Sequence, residues 1–139
     1  MKYYLLKTYK NIYNNKLYEL YVKNYYYDKQ FTPDYRYNCI IKSSDIWFHL
    51  INDSDDIIAI CSVSINLNFY EIKDVFVEEK FRGNNYATLL LINVLNSFDN
   101  FDNFRIFAYK CNIAAIKTYE KIFGKPKLVN KDKVYFYLN

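Results

Sequence analysis

Glycine is nearly absent from this chain, with two in 139 residues. A residue type that scarce survives where a side chain cannot be accommodated, in a turn with positive φ or at a close backbone approach. One of the two, Gly83, stands in Val77-Glu78-Glu79-Lys80-Phe81-Arg82-Gly83-Asn84-Asn85-Tyr86-Ala87, ahead of an apolar run from Leu89 to Leu95. The pattern predicts a strand, a tight turn and a helix start. The N–H groups of such a turn point outward and carry partial positive charge, so they hold anions well. A phosphate group is therefore the first expectation for what the chain binds.

A chain of 139 residues is expected to form one domain, 1–139, with a core of its own. With 52% hydrophobic and 24% charged residues it has the composition of an ordinary folded protein. Its 17 Tyr and 11 Phe accompany frequent Asn, Ile and Lys. All five share AT-rich codons, so a biased genome accounts for the aromatic excess more simply than a ring-lined binding surface does. The net charge of +4 suits an acidic ligand but falls short of a nucleic-acid footprint, and no run of basic residues supplies one. The N-terminus meets Lys7 soon after Lys2, which leaves no room for a signal-peptide core. No apolar stretch approaches the roughly 18 residues of a membrane span. Cys39, Cys61 and Cys111 have no metal-like spacing and read as free thiols in a reducing compartment. These features predict a cytoplasmic protein, or a nuclear one by diffusion, that is not secreted and has no metal, membrane or nucleic-acid partner.

Residues 2–9 read as a first strand, and apolar residues from Asn11 to Tyr27 fall on a rough helical stripe. Asp28 to Asp45 is less regular and reads as loop with a short helix. Ile46 to Ile51 and Ile57 to Ile65 form a hairpin around Asn52-Asp53-Ser54-Asp55-Asp56, and another strand runs from Tyr70 to Val77. The helix after Gly83 should last to about Phe98, and Phe104 to Tyr109 is the next strand. Asn112 can cap a helix ended by Gly124 and Pro126. Lys127 to Val129 and Lys133 to Leu138 complete a last hairpin. This order predicts a mixed α/β domain with a largely antiparallel sheet.

Two nucleotide-binding patterns are excluded. A Walker loop needs Gly, four residues, then Gly-Lys-Ser/Thr, and none occurs. A Rossmann fingerprint needs three spaced glycines opening a parallel βαβ unit, and only Gly83 is present there.

The chain resembles the GNAT superfamily of acetyl-CoA-dependent N-acetyltransferases. That family's phosphate loop reads Arg/Gln-x-x-Gly-x-Gly/Ala after a strand. Arg82-Gly83-Asn84-Asn85-Tyr86-Ala87 matches it at Arg82 and Ala87, with the frequent extra glycine at Gly83. The second signature, Asn-x-x-Ala-x-x-x-Tyr, appears as Asn112, Ala115 and Tyr119. One departure is Asn85 in place of the middle glycine; if a left-handed conformation is required there, a non-Gly residue costs roughly 1–2 kcal/mol, and Asn tolerates it best. Another is the helix end, Phe123-Gly124 where the family often has Gly-Phe.

The resemblance implies an α/β (α+β) fold: a mostly antiparallel sheet of six to seven strands flanked by about four helices. It implies acetyl-CoA as acetyl donor, no metal, and an amine substrate, either a small molecule or a protein amine, in a monomer or homodimer. The pyrophosphate would rest on loop amides of Gly83, Asn84, Asn85, Tyr86, Ala87 and Thr88. Arg82 would shape that loop or meet phosphate, unless it is a solvated surface residue. Backbone groups of Phe76 and Val77 would pair with the pantetheine arm like an added strand. Asn112 would hydrogen-bond the arm and Ala115 would leave room beside it; with Tyr119 they share one helix face at spacings of three and four.

Amine acetylation expels a thiolate, and a phenol with a reference pKa of about 10 still holds a proton to give it. Tyr119 would be that general acid; taken alone it is one more core tyrosine. A lysine-like amine costs roughly 4–5 kcal/mol to neutralise at pH 7 and an α-amine about 1 kcal/mol, so a general base matters for the first. Glu71 is the candidate base and is equally a solvent-facing strand residue; Asp74, on the opposite strand face, is a weaker one. The alternative to an enzyme is a non-catalytic acyl-CoA-binding relative, which Asn85 favours.

Overall fold

The computed structural model describes residues 3–9, 46–54, 56–98 and 103–138. The expected helix from Asn11 to Tyr27 and the irregular segment from Asp28 to Asp45 lie outside them. The described elements are β1 (Tyr3–Tyr9), β2 (Ile46–Asn52), β3 (Ile57–Ile65), β4 (Tyr70–Val77), a 3-10 turn (Glu79–Phe81), α1 (Tyr86–Asn96), β5 (Phe104–Tyr109), α2 (Ile113–Phe123), β6 (Leu128–Val129) and β7 (Lys133–Leu138).

Period-two alternation decides which side of each strand meets the helices. Ile46, Phe48 and Leu50 of β2 join Ala59, Cys61 and Val63 of β3 in one apolar core. Phe104, Ile106 and Ala108 of β5 and Val134 and Phe136 of β7 extend it. Leu90, Leu91 and Val94 of α1 and Tyr119 and Phe123 of α2 close it from above. At roughly 1.5–3 kcal/mol for each fully buried large apolar side chain, this layer holds both helices on that face. The opposite face is buried too at Trp47, His49, Ile60 and Ser62, so β2 and β3 are covered on both sides.

The strands form one seven-stranded sheet in the order β1-β2-β3-β4-β5-β7-β6. Every neighbouring pair is antiparallel except β4 and β5. Parallel strands need a crossover, and α1 supplies it. That parallel pairing is short: Tyr70, Glu71 and Ile72 lie opposite Phe104, Arg105 and Ile106, and there it stops. Beyond it β4 stays with β3 as far as Val77 and β5 stays with β7 as far as Tyr109. The two strands diverge and leave a wedge in the middle of the sheet.

Candidate active site

The wedge narrows beside an irregularity in β4. Ile60 lies opposite Phe76, yet Ser62 lies opposite Lys73, so β4 carries one surplus residue there. Such bulges re-aim side chains and are common beside active sites. Asp74 sits in the bulge with a φ of 55°, which a non-glycine residue holds at a cost of about 1–2 kcal/mol. Plain alternation puts Asp74 on the face opposite Glu71. The bulge turns it instead, since Ser62 Oγ donates to Asp74 Oδ2 at 3.2 Å and Ser62 shares the face of Glu71.

The same register decides which backbone groups meet the wedge. Glu78 N–H donates to the Ile58 carbonyl at 2.8 Å. Antiparallel ladders alternate between residues bonded across and residues turned away. Phe76, two residues earlier, therefore keeps its main chain in the β3 ladder, and Val77 turns its own toward the wedge. Arg82 Nε donates to the Val77 carbonyl at 3.0 Å, tying the end of β4 to the next turn. Of the roles expected for Arg82, this contact is the loop-shaping one.

Beyond β4 the chain turns sharply. Backbone bonding stops at Arg82 N–H, which donates to Glu79, and resumes at Leu89 N–H, which donates to Asn85. Between them, the N–H groups of Gly83, Asn84, Asn85, Ala87 and Thr88 have no backbone acceptor among the described residues. Gly83 has φ 80°. Asn85 caps α1 at φ 62°, ψ 23°, the left-handed conformation considered for that position, and its side chain makes no capping bond. Asn84 braces the turn by donating to the Phe81 and Arg82 carbonyls at 3.2 and 3.1 Å.

Helix α2 faces this turn across the wedge. Asn112 caps it, with Oδ1 accepting from Ala115 N–H at 3.2 Å. Neither α1 nor α2 has an acidic residue in its first turn, so the positive ends of both dipoles are left uncompensated. Tyr119 is buried and packs edge-to-face on Phe136, ring centroids 5.8 Å apart.

These parts enclose a cavity of about 370 Å³. Its lining takes in Phe76, Val77, Arg82, Gly83, Asn85, Tyr86, Ala87, Thr88, Asn112, Ala115 and Tyr119, all singled out from the sequence. Val75, Phe81, Ala114 and Thr118 line it as well. Period-two spacing from Val77 points to Val75, and Ala114 and Thr118 sit a helical turn apart beside the signature residues. Asn84 is outside the lining.

Glu71 is outside it too. It lies before the wedge opens, four residues and about 13 Å of extended strand from Val75. Arg105 Nε donates to Glu71 Oε2 at 2.6 Å, and an Nη2 contact to the same oxygen completes a charge-assisted pair. The Arg105 guanidinium also lies 4.6 Å from the Phe69 ring centroid. His49, the one histidine, is buried and burial pushes its pKa down to about 4. No group of three or more His, Cys, Asp or Glu able to hold a metal occurs among the described residues. None of the described helices is long and apolar enough to cross a membrane.

The cavity thus combines the end of β4, small residues beside it, and a turn ahead of α1 whose Gly83, Asn84, Asn85, Ala87 and Thr88 N–H groups have no backbone acceptor among the described residues. The acetyltransferase (GNAT) family model matches residues 14–124. The chain belongs to that family. No protein among those with curated functions matches it in sequence. Similar solved structures include a GNAT family acetyltransferase from Elizabethkingia anophelis with acetyl-CoA bound (14% identity, TM-score 0.72, 99% of this chain and 97% of that one). The ribosomal-protein-S18-alanine N-acetyltransferase of Escherichia coli is 12% identical, with TM-score 0.65 over 96% of this chain and 93% of that one. Mutant forms of the spermidine/spermine N-acetyltransferase of Vibrio cholerae are 14% identical, with TM-score 0.64 over 99% of this chain and 94% of that one. At these identities the likeness is one of fold.

Proposed function

We propose that this chain is an N-acetyltransferase that binds acetyl-CoA in the wedge and passes its acetyl group directly to a primary amine bound at the same time. The observation that carries this reading is the turn from Gly83 to Thr88: the N–H groups of Gly83, Asn84, Asn85, Ala87 and Thr88 have no backbone acceptor among the described residues, and Gly83, Asn85, Ala87 and Thr88 line the cavity beside the end of β4. When bound, acetyl-CoA supplies an activated acetyl thioester. The turn amides and the dipoles of α1 and α2 hold its pyrophosphate. Val77 N–H, facing the wedge, and the Asn112 amide hold the pantetheine arm, while Ala115 leaves it space. Tyr119 protonates the departing thiolate, and the wedge-facing amides of β4 polarise the carbonyl.

Glu71, already paired with Arg105, is left out of the base role. An α-amine, which costs only about 1 kcal/mol to deprotonate at pH 7, suits such a site better than a lysine-like one. Two of the structurally similar proteins are named for a protein alanine and for polyamines, so both amine classes belong in the substrate panel.

Thermal unfolding with acetyl-CoA tests binding. Ligand at 100 times its dissociation constant adds about 2.7 kcal/mol, and no shift at millimolar concentration refutes the proposal. Thiol release with a panel of α-amines and polyamines, comparing wild type with Tyr119→Phe, tests transfer. Binding without turnover on any amine supports the non-catalytic alternative, which the left-handed Asn85 keeps open.

A further inference from the structure

Strand β4 keeps two phases, one on each side of Asp74. Before it, Tyr70 N–H donates to the Asn103 carbonyl on the β5 side at 2.8 Å, so even-numbered residues turn their main chain that way. After it, Glu78 N–H donates to the Ile58 carbonyl of β3, so even-numbered residues turn the opposite way and Val77 faces the wedge. Side chains change phase at the same place. Ile72 lies in the core, and Val75 and Val77 pack against it, three and five residues on rather than two and four. One inserted residue accounts for both shifts. Phe76 lies opposite Ile60, whereas unbroken pairing from Lys73 and Ser62 would set it opposite Ala59.

A bulge whose first residue holds positive φ usually has glycine there, and neither glycine of this chain is at that position. Asp74 takes it instead, at φ 55°. Strained residues of this kind persist only where surrounding contacts fix them. One such contact is Ser62, fully buried on the neighbouring strand. Its Oγ lies 3.3 Å from the Lys73 carbonyl oxygen and 3.2 Å from Asp74 Oδ2. Both are acceptors, so the single hydroxyl proton is shared between them. One buried group therefore clasps the carbonyl ahead of the bulged residue and that residue's own side chain.

We propose that Ser62 and Asp74 are positioning residues for acetyl-CoA: their clasp holds β4 in its second phase and so sets which groups the wedge presents. This rests on the proposed function. Neither residue lines the cavity; they act through Val75, Val77 and the turn that follows. Released from the clasp, β4 beyond Lys73 moves by one position along β3. Phe76 then replaces Val77 opposite Ala59, on the helix side, and the Val77 main chain enters the β3 ladder. The Val77 carbonyl that anchors Arg82 is withdrawn with it. The Gly83 turn shifts by one residue's rise, about 3.3 Å, relative to Asn112 on α2. A ligand held at both the turn and the arm does not tolerate that mismatch, since misplacement by about 1 Å already costs about 10²-fold.

The test compares the whole chain with Ser62→Ala, Asp74→Gly and Asp74→Asn, by calorimetry with coenzyme A and by amide exchange without ligand. Glycine relieves the positive φ, so folding survives, but it cannot accept from Ser62. Asparagine keeps an acceptor and tolerates the left-handed conformation. Asp74→Asn should bind coenzyme A within about twofold of wild type. Ser62→Ala and Asp74→Gly should each weaken binding about tenfold or more, and the double variant no further than the weaker-binding single, because both remove one contact. Exchange reads the phase directly. In the wild type Phe76 N–H should be protected and Val77 N–H exchange faster, and in Ser62→Ala and Asp74→Gly that order should reverse. Wild-type affinity in Asp74→Gly, additive losses in the double variant, or an unchanged exchange order each overturns the inference. If the wild type itself binds no coenzyme A, the proposed function fails, and the exchange order alone decides whether the clasp sets the phase.

Discussion

Acidification should destabilise this protein through its single histidine. His49 is 1% exposed, its Nε2 has no hydrogen-bond partner among the described residues, and burial pushes its pKa from 6.5 down to about 4. The folded state therefore refuses a proton that the unfolded chain accepts, and stability falls with pH in that interval. Above pH 6.5 both states are neutral and nothing is lost. Between pH 6.5 and 4 the unfolded chain protonates first, and below pH 4 the loss is complete. At about 1.4 kcal/mol per pH unit the full loss is about 3 kcal/mol, of which about 2 kcal/mol falls between pH 7 and pH 5. Urea unfolding of wild type and His49→Gln at both pH values isolates the histidine, because carboxylates titrating in the same range act on both proteins alike. Wild type should lose about 2 kcal/mol more than the variant. Equal losses would show that the imidazole can ionise in place, and the argument from burial would be wrong.

Four further outcomes follow from the geometry. Tyr119→Phe should retain the acetyl-CoA thermal shift and lower turnover by about 10²-fold or more, and unchanged turnover rules out a proton from this phenol. Gly83→Ala meets no atom within 4 Å but must hold φ 80°, so it should destabilise by about 1–2 kcal/mol and weaken acetyl-CoA without disturbing the core, as unfolding and calorimetry can show. Glu71→Ala strands the half-buried Arg105 and should cost about 1–3 kcal/mol of stability in denaturant melts while the pH profile of turnover stays put; a shifted acidic limb would restore Glu71 as a base. Cys61 is buried and Cys111 exposed, and burial, with Asp74 nearby, pushes the Cys61 thiol up. Iodoacetamide should therefore modify Cys111 in the folded protein and reach Cys61 only after denaturation.

Much of this was legible in the chain because local rules and burial agree. β3, β4 and β5 lie where alternation and turn residues put them, and α2 begins after Asn112 and ends at Phe123 as its cap and Gly124 predict. The helix after Gly83 ends at Asn96, a little before Phe98, which leaves the periodic run to pack on Tyr70 and Phe104 instead. What the sequence did not disclose depends on pairing between distant segments. Glu71 meets Arg105 only because β4 and β5 run parallel at that one place, and no local pattern encodes the match. The bulge at Asp74 is likewise invisible to period-two counting, which assigns that side chain to the wrong face and misses that the ladder claims Phe76.

The short parallel contact between β4 and β5 has a consequence for the resting protein. Among the described residues, backbone pairing joins β1–β4 to β5–β7 only along that seam, a zipper closed at one end. An arm that hydrogen-bonds to β4 contributes the missing teeth, and ligand occupancy and mechanical coherence of the two halves become a single equilibrium. Amide exchange at Val77 should then report on both at once, fast while the slot is open and slow once it is threaded.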